Sequence, residues 1–278
     1  ISACSVAPFI LLLSSSLTDD AALSVYGYSF FPPEFSTEAY SYLFTSSSAI
    51  VNAYGISAAV TICGTLCNLI LTTLYAYPLS RKDLPGRNFF AFFLFFTMLF
   101  SGGLVPSYIM WTQTFHIRNS IFALLVPNLL MGAFNVIMMR TYFTANIPDA
   151  VIEAARIDGA SEFRILAGIV IPMAAPILAT LCLLVGLAYW NDWQNGLYYL
   201  TDNKLFSIQV LLQNIQRSLD ALKQSAQAGG SVNVSTADLP SNSVRMAITV
   251  MGVLPIMIVY PFLQRFFVKG IAIGAVKG

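Results

Sequence analysis

The sequence predicts an all-α polytopic membrane protein with six transmembrane helices, and three observations carry that prediction. The chain of 278 residues is 57% hydrophobic and only 10% charged, whereas a soluble domain carries about a quarter charged residues. The apolar residues fall in runs long enough to cross a hydrocarbon core, which takes about 20 residues of helix. The basic residues gather in a few stretches between or after those runs. Lipid offers no partner to the edge of an open strand, so the runs are read as helices.

Taken in order, the spans are expected at about 1–17, 50–79, 88–110, 120–141, 168–199 and 244–268, within a single membrane domain over 1–278. Residues 1–17 show no basic flank or cleavage site and read as most of a first membrane helix rather than a signal peptide. The second and fifth runs are longer than a bilayer requires and carry polar residues, so they are expected to line a path or to extend beyond the bilayer. Phe89, Phe90, Phe92, Phe93, Phe95, Phe96 and Phe100 crowd the third run and are expected to face lipid. Cys4, Cys63, Cys67 and Cys182 all lie in apolar runs. Cys63 and Cys67 share a helix face, but no histidine or carboxylate stands near them. They are read as buried, inert thiols, and no metal site is expected. The net charge of +1 gives no basis for binding nucleic acid.

Orientation follows from the basic residues. The stretch Arg81-Lys82-Asp83-Leu84-Pro85-Gly86-Arg87, the segment holding Arg140, Arg156 and Arg164, and the end holding Arg265, Lys269 and Lys277 fall on one side of a six-span chain. The first opposite loop, 18–47, has no Lys or Arg, only Asp19, Asp20, Glu34 and Glu38. The basic side is expected to be cytoplasmic, with both termini there. The loop from about 200 to 243 then lies outside. In it Ile208, Leu211, Leu212, Ile215, Leu219 and Leu222 recur at helical spacing, which predicts an amphipathic helix. A flexible tip follows over Gln224 to Leu239. The helix reads either as resting on the membrane surface or as docking an outside partner.

The loop at about 146–167 has more specific chemistry. Pro148 suits a first helical turn, with Asn146 or Ile147 before it as cap and staple. Asp149 sits at the positive end of the helix dipole. Gly159 can take positive φ and end the helix, and Ser161 can cap the next one. Ala150, Ala154 and Ala155 give small faces that let a partner groove approach, while Glu153, Arg156 and Asp158 can make charged contacts at its rim. The residues alone leave two readings open: a solvated turn helix, or a contact that transmits force from a soluble partner.

Glu153-Ala154-Ala155, Gly159 and Ile169-Val170-Ile171-Pro172 resemble the EAA loop of type I ABC importer permeases, with Ile171 where the family usually has Leu. The string from Pro148-Asp149 through Glu153-Ala154-Ala155-Arg156-Ile157-Asp158-Gly159-Ala160 is similar to the carbohydrate branch, which includes the maltose-system inner-membrane permeases. So is the end Lys269-Gly270-Ile271-Ala272-Ile273-Gly274-Ala275-Val276-Lys277-Gly278. Leu84-Pro85-Gly86-Arg87 and Thr97 to Pro106 look like the oligosaccharide and polysaccharide permeases of that branch. The resemblance implies a type I importer permease fold in a bacterial inner membrane. It implies a second, similar permease, two ATPase subunits and an extracytoplasmic solute-binding protein that delivers sugar. Glu153, Ala154, Ala155, Arg156, Asp158 and Gly159 would form the coupling helix seated in an ATPase cleft. Lys269 and Lys277 would reach between the ATPases, and the 200–243 loop would touch the binding protein. Large or acidic oligosaccharides, alginate among them, are substrates the branch can carry.

The chain contains no G-x-x-x-x-G-K-[ST] phosphate loop, so it is expected not to be an enzyme and to have no catalytic residues or cofactor of its own. ATP and Mg would be held on partner subunits. For a substrate path, Asn52, Asn68, Asn128 and Asn135 lie at or near membrane depth. The cluster Tyr189-Trp190-Asn191-Asp192-Trp193-Gln194-Asn195 mixes aromatic and amide groups that suit a sugar, and Trp190, Asn191 and Trp193 are its candidates. The same mixture suits an interfacial aromatic belt, and polar residues within spans equally serve as glue between helices. Spans nearly free of ionisable groups argue against a proton- or ion-coupled transporter. One histidine and no clustered nucleophile argue against an intramembrane enzyme.

Overall fold

Helices make up most of the computed structural model, which describes residues 2–44, 47–227 and 242–275. In chain order they are α1 (Ser2–Ser16), α2 (Asp20–Tyr26), α3 (Glu38–Phe44), α4 (Ser47–Ser80), α5 (Arg87–Leu99), α6 (Leu104–Ile109), α7 (Phe122–Leu125), α8 (Ala133–Asn146) and α9 (Asp149–Ile157). There follow α10 (Glu162–Ile165), α11 (Ile171–Met173), α12 (Ala175–Trp190), α13 (Gln194–Tyr199), α14 (Ile208–Gln227) and α15 (Asn242–Ala275). Among the described residues the extended pairing is a lone bridge between Thr18 and Phe35. Residues 1–56 and 202–259 form one compact unit, and residues 57–201 and 260–278 form another.

In the first unit, carboxylates organise the helix ends. Asp19 accepts from the backbone of Ala21 at 3.0 Å and starts α2. Asp20 accepts from the backbone N–H groups of Asn242 at 2.8 Å and Ser243 at 3.0 Å, and so caps α15 from more than 200 residues away. The amphipathic helix expected in the long loop is α14. Its apolar stripe, through Ile208, Leu212 and Leu219, is buried, and its polar side reaches α15 through an Asp220–Arg245 ion pair. Leu212 also lies against Gly252 of α15. The stripe is therefore covered by protein and does not rest on a membrane surface. Residues 228–239 of the expected flexible tip lie outside the described residues.

The second unit holds most of the spans, and two of them differ from the expectation. The third was read as one run over 88–110. Instead α5 and the segment Leu104–Thr114 meet at a bend of 112°. Phe100 is extended and Gly103 takes φ +83°, a conformation that glycine adopts without a Cβ penalty. Pro106 then sits in the first turn of α6, where its missing N–H has no intrahelical partner to lose. The fourth, read as 120–141, is broken between α7 and α8. Pro127 has no N–H to continue the ladder, and Asn128 turns to φ +62°. The helices long and apolar enough to cross a bilayer number three among the described residues, or four if the bent pair counts as one span.

A break at membrane depth strips carbonyls of their helical partners, and lipid cannot replace them. Side chains from neighbouring helices do so. The Tyr189 hydroxyl donates to Leu125 O at 2.8 Å, Asn195 Nδ2 to Pro127 O at 3.0 Å, and Asn68 Nδ2 to Leu129 O at 2.7 Å. Thr72 Oγ1 donates to Asn68 Oδ1 at 3.1 Å and fixes the amide's orientation. Gly64 leaves room for the Tyr189 ring, which a Cβ at that position would overlap. These contacts assign Asn68 and Asn195 to inter-helix glue.

The cysteine expectation is corrected. Cys63 and Cys67 are exposed on α4 and Cys182 is half-buried, and the side chain of Cys4 lies outside the described residues. Cys63 and Cys67 share the exposed surface of α4 with Ile62, Leu66 and Ile70. An apolar neighbourhood along a membrane helix does not imply burial within the chain, because its surroundings are apolar too. The phenylalanines of α5 are left uncovered by the rest of the chain: Phe89, Phe92 and Phe93 are all exposed.

Asn68→Leu strands the Leu129 carbonyl, at a cost of about 1–3 kcal/mol. Its melting temperature in detergent is expected to fall clearly. Asn52→Leu, whose amide lies at an exposed site, should shift it much less.

Candidate functional site

The site is the corner built from the end of α8, all of α9 and the start of α10. Ile147 precedes a proline and is pushed to extended geometry, which ends α8. Pro148 is also extended (ψ 134°) and stands just before α9, one position earlier than the first-turn placement expected for it. Asn146 does not cap α9. It is the last residue of α8, and its amide donates back to Tyr142 O at 3.2 Å. Asp149 occupies the first helical position, where its charge meets the helix dipole. At the other end Ala160 N–H bonds Ala155 O at 3.0 Å and Gly159 N–H bonds Arg156 O at 3.0 Å, with Gly159 at φ +77°. This pair of bonds is a Schellman stop. Ser161 is extended ahead of α10, as expected of a cap, but its hydroxyl makes no capping bond.

The faces of α9 are sharply divided. Ile152 and Ala155 are buried in one core with Ala76, Tyr77 and Leu79 of α4, Met139 and Phe143 of α8, and Ile165. Ala155, expected on a docking face, therefore anchors the helix. Ala150, Glu153, Ala154, Asp158 and Gly159 are exposed. Ile157 is 86% exposed and Phe163, the second residue of α10, is 75% exposed. A small-residue face flanked by two uncovered apolar side chains is thus turned away from the protein.

Arg156 departs most from its expected role at the rim. Its Nη1 reaches Asp83 Oδ2 at 2.9 Å, and its Nε and Nη2 both lie 2.8 Å from Glu162 Oε1. The second oxygen of Glu162 accepts from the Tyr77 hydroxyl at 2.6 Å. At the opposite end of α9, Asp149 pairs with Arg81 at 3.3 Å and Lys82 at 3.1 Å. Both ends of the helix are thereby tied to three consecutive residues, Arg81-Lys82-Asp83. The Tyr77 hydroxyl, then the Arg156 guanidinium, hold the Glu162 carboxyl below its ordinary range. Arg156 does the same for Asp83, Lys82 does so for Asp149, and the two carboxylates raise Arg156 in turn. A cavity of about 390 Å³ opens beside the cluster, walled by Leu74, Pro78, Leu84 and Leu166, so salt and protons reach these ties. Sequence reasoning used Arg81 and Lys82 only for orientation and did not single out Asp83, Glu162 or Tyr77. The usable signal was the matching charge order, Asp149 and Arg156 at the ends of one helix against Arg81-Lys82-Asp83.

The residues proposed for a substrate path are divided between the two compact units. Asn52 belongs to the first compact unit, where its amide donates to Lys204 O at 2.7 Å. Asn128 is exposed in the broken fourth span, Asn135 is half-buried beside Gly132, and the Asn191 amide turns back to Leu187 O at 3.0 Å. Trp190 and Trp193 are half-buried at the end of α12. The Lys269 side chain and all of Lys277 lie outside the described residues, and no group of three or more metal-ligating residues occurs among the described ones.

Residues 87–273 match the family described as binding-protein-dependent transport system inner membrane component. The chain belongs to this family. This permease is 36% identical over 273 residues to the polygalacturonan/rhamnogalacturonan transport system permease protein YtcP of Bacillus subtilis, covering 98% of the chain and 93% of YtcP. It is 32% identical to protein LplC of the same organism over all of the chain and 91% of LplC. The crystal structure of a bacterial ABC transporter involved in the import of the acidic polysaccharide alginate superposes with a TM-score of 0.80 at 30% identity, covering 96% of the permease and 92% of that chain. The permease has the type I importer fold, is an inner-membrane component, and works with ATPase and permease partners in a binding-protein-dependent system. It is a transport subunit and not an enzyme.

The depressed carboxylates fix the sign of a pH effect. Their ties are fully present above the ordinary values, 3.8 for Asp83 and 4.5 for Glu162, and are lost as pH falls through the lower folded-state values. The melting temperature of the purified permease is therefore expected to drop below about pH 4. Arg156→Gln should flatten that drop, and an unchanged pH profile in the variant would remove the ties from the account.

Proposed function

We propose that this permease carries oligosaccharides across a bacterial cytoplasmic membrane, driven by ATPases that seat against α9. The observation that supports this most is the division of α9. One face is sealed into the core of the spans, the ends are tied, and the remaining small-residue face is left uncovered beside Ile157 and Phe163. A helix built this way is held firmly by its own protein while presenting a smooth surface to another. The α9 side and both termini are cytoplasmic, and α14 is on the opposite side, where a solute-binding protein delivers sugar. The working assembly pairs this chain with one similar permease and two ATPase subunits, which hold ATP and Mg. In this reading Lys269 and Lys277 supply a second contact with those ATPases. The names of its relatives favour oligosaccharides derived from acidic polysaccharides as the first substrates to test.

Gly159 gives a selective test, because a Cβ there meets nothing within 4 Å and only its positive φ is at stake. Valine in that conformation costs about 1–3 kcal/mol, whereas asparagine tolerates it. In proteoliposomes with the binding protein, Gly159→Val is expected to lose most ATP-driven uptake of a galacturonate or alginate oligosaccharide, and Gly159→Asn to keep it. Equal uptake by both variants would remove the helix stop from the coupling mechanism.

A further inference from the structure

The chain gives α9 an obvious covalent route into the bilayer, through α10 to α12. That route is soft. It passes through a π-helical turn at Leu166–Val170, then Pro172, then a break at Ala174 before α12 begins. A π turn has a poorer hydrogen-bond pattern than the α-helix around it, and a proline removes a further rung. A displacement of α9 sent along this path alone would be partly absorbed.

A second route is built from side chains. Asp149 and Arg156 are seven residues apart, about 10 Å along the helix axis. Each pairs with the loop that follows α4: Asp149 with Arg81 and Lys82, Arg156 with Asp83. Two ties at separated points resist rotation as well as translation, which one tie cannot do. The charge order permits a single orientation, since turning α9 end for end would set Asp149 against Asp83 and Arg156 against Arg81 and Lys82. Beneath the ties, Ile152 and Ala155 share a core with Ala76, Tyr77 and Leu79 of α4. The end of α4 is itself pinned, because Arg87 Nε and Arg140 Nε both donate to Leu79 O, at 3.0 and 3.1 Å. Beyond it α4 continues as one helix back to Ser47, with its single proline, Pro78, in the last turn.

We infer that Arg81, Lys82 and Asp83 clamp α9 at both ends, so that a push on α9 is delivered to α4 as well as to the helix that follows it in the chain. Arg156, Asp149 and the 81–83 loop are positioning residues in this scheme. The inference rests on the proposed ATPase contact at α9 and adds the direction in which force leaves it.

The test uses the complete transporter with its ATPases and binding protein, in which Cys4, Cys63, Cys67 and Cys182 are changed to serine. Asp83→Cys and Arg156→Cys are combined, and the thiols are joined by a short flexible bis-thiol reagent. Before joining, sugar transported per ATP hydrolysed is expected to fall several-fold, and joining should restore it toward the parent ratio. An unjoined pair that transports like the parent overturns the clamp, as does a joined pair that hydrolyses ATP without transport. If the cysteine pair fails to assemble, the charge exchange Asp83→Arg with Arg156→Asp takes its place. Recovery of the ratio over either single change supports the clamp, and no recovery overturns it. Ala154→Trp, on the exposed face, reports separately on the underlying contact. Release of the ATPase supports the contact, whereas an ATPase that stays bound overturns it whatever the cysteine pair shows.

Discussion

A helix outside the bilayer can move the helices within it only if it cannot pivot on its own connections, and the double attachment of α9 meets that constraint. The connections by themselves are poor levers. One begins with an extended Ile147-Pro148 pair, and the other ends in a glycine turn. The stiffness comes from Ile152 and Ala155 in the core and from ion pairs at each end. Exposed pairs of this kind are each worth little to stability, about 0–1 kcal/mol. Their value here is geometric, because they fix where α9 stands and which way it faces.

The same economy of backbone partners shapes the spans. Two of the expected runs bend or break, at Phe100–Gly103 and at Pro127–Gly132. In a solvent without hydrogen-bond donors such breaks persist only where protein supplies the missing groups. Asn68, Tyr189 and Asn195 supply them for the fourth span. Three side chains from three other helices, α4, α12 and α13, thus hold the broken segment without stranding a carbonyl in lipid.

Much of this was legible in the sequence, and what was not has identifiable causes. Apolar run length located α4, the fifth run and α15, because one long helix in lipid needs little beyond apolar residues and length. It did not show the bends, since Gly103 and Asn128 act through φ, and a glycine or an asparagine in an apolar run does not announce a positive value. The stop at Gly159 was readable because it closes a short polar helix rather than lying within an apolar run. Arg156 was placed on the right helix but with the wrong partners: its carboxylates lie 73 residues before it, at Asp83, and across a turn, at Glu162. Periodicity sees neither. Ala155 was assigned to the open face because alanine has no side-chain signature that separates a docking surface from a tight core contact. The cysteines were assigned to the interior by a rule suited to water-soluble proteins.

These features together describe a membrane subunit whose helix α9 is secured inward and left bare outward. The proposed coupling requires that an ATPase cover the bare face. The direct measurement places a photoreactive amino acid at Ala154 in the intact transporter and identifies what it captures on illumination. The account predicts a covalent adduct with the ATPase subunit whose yield changes when ATP is bound. Capture of lipid alone, or of other parts of the permease in every nucleotide state, would contradict it.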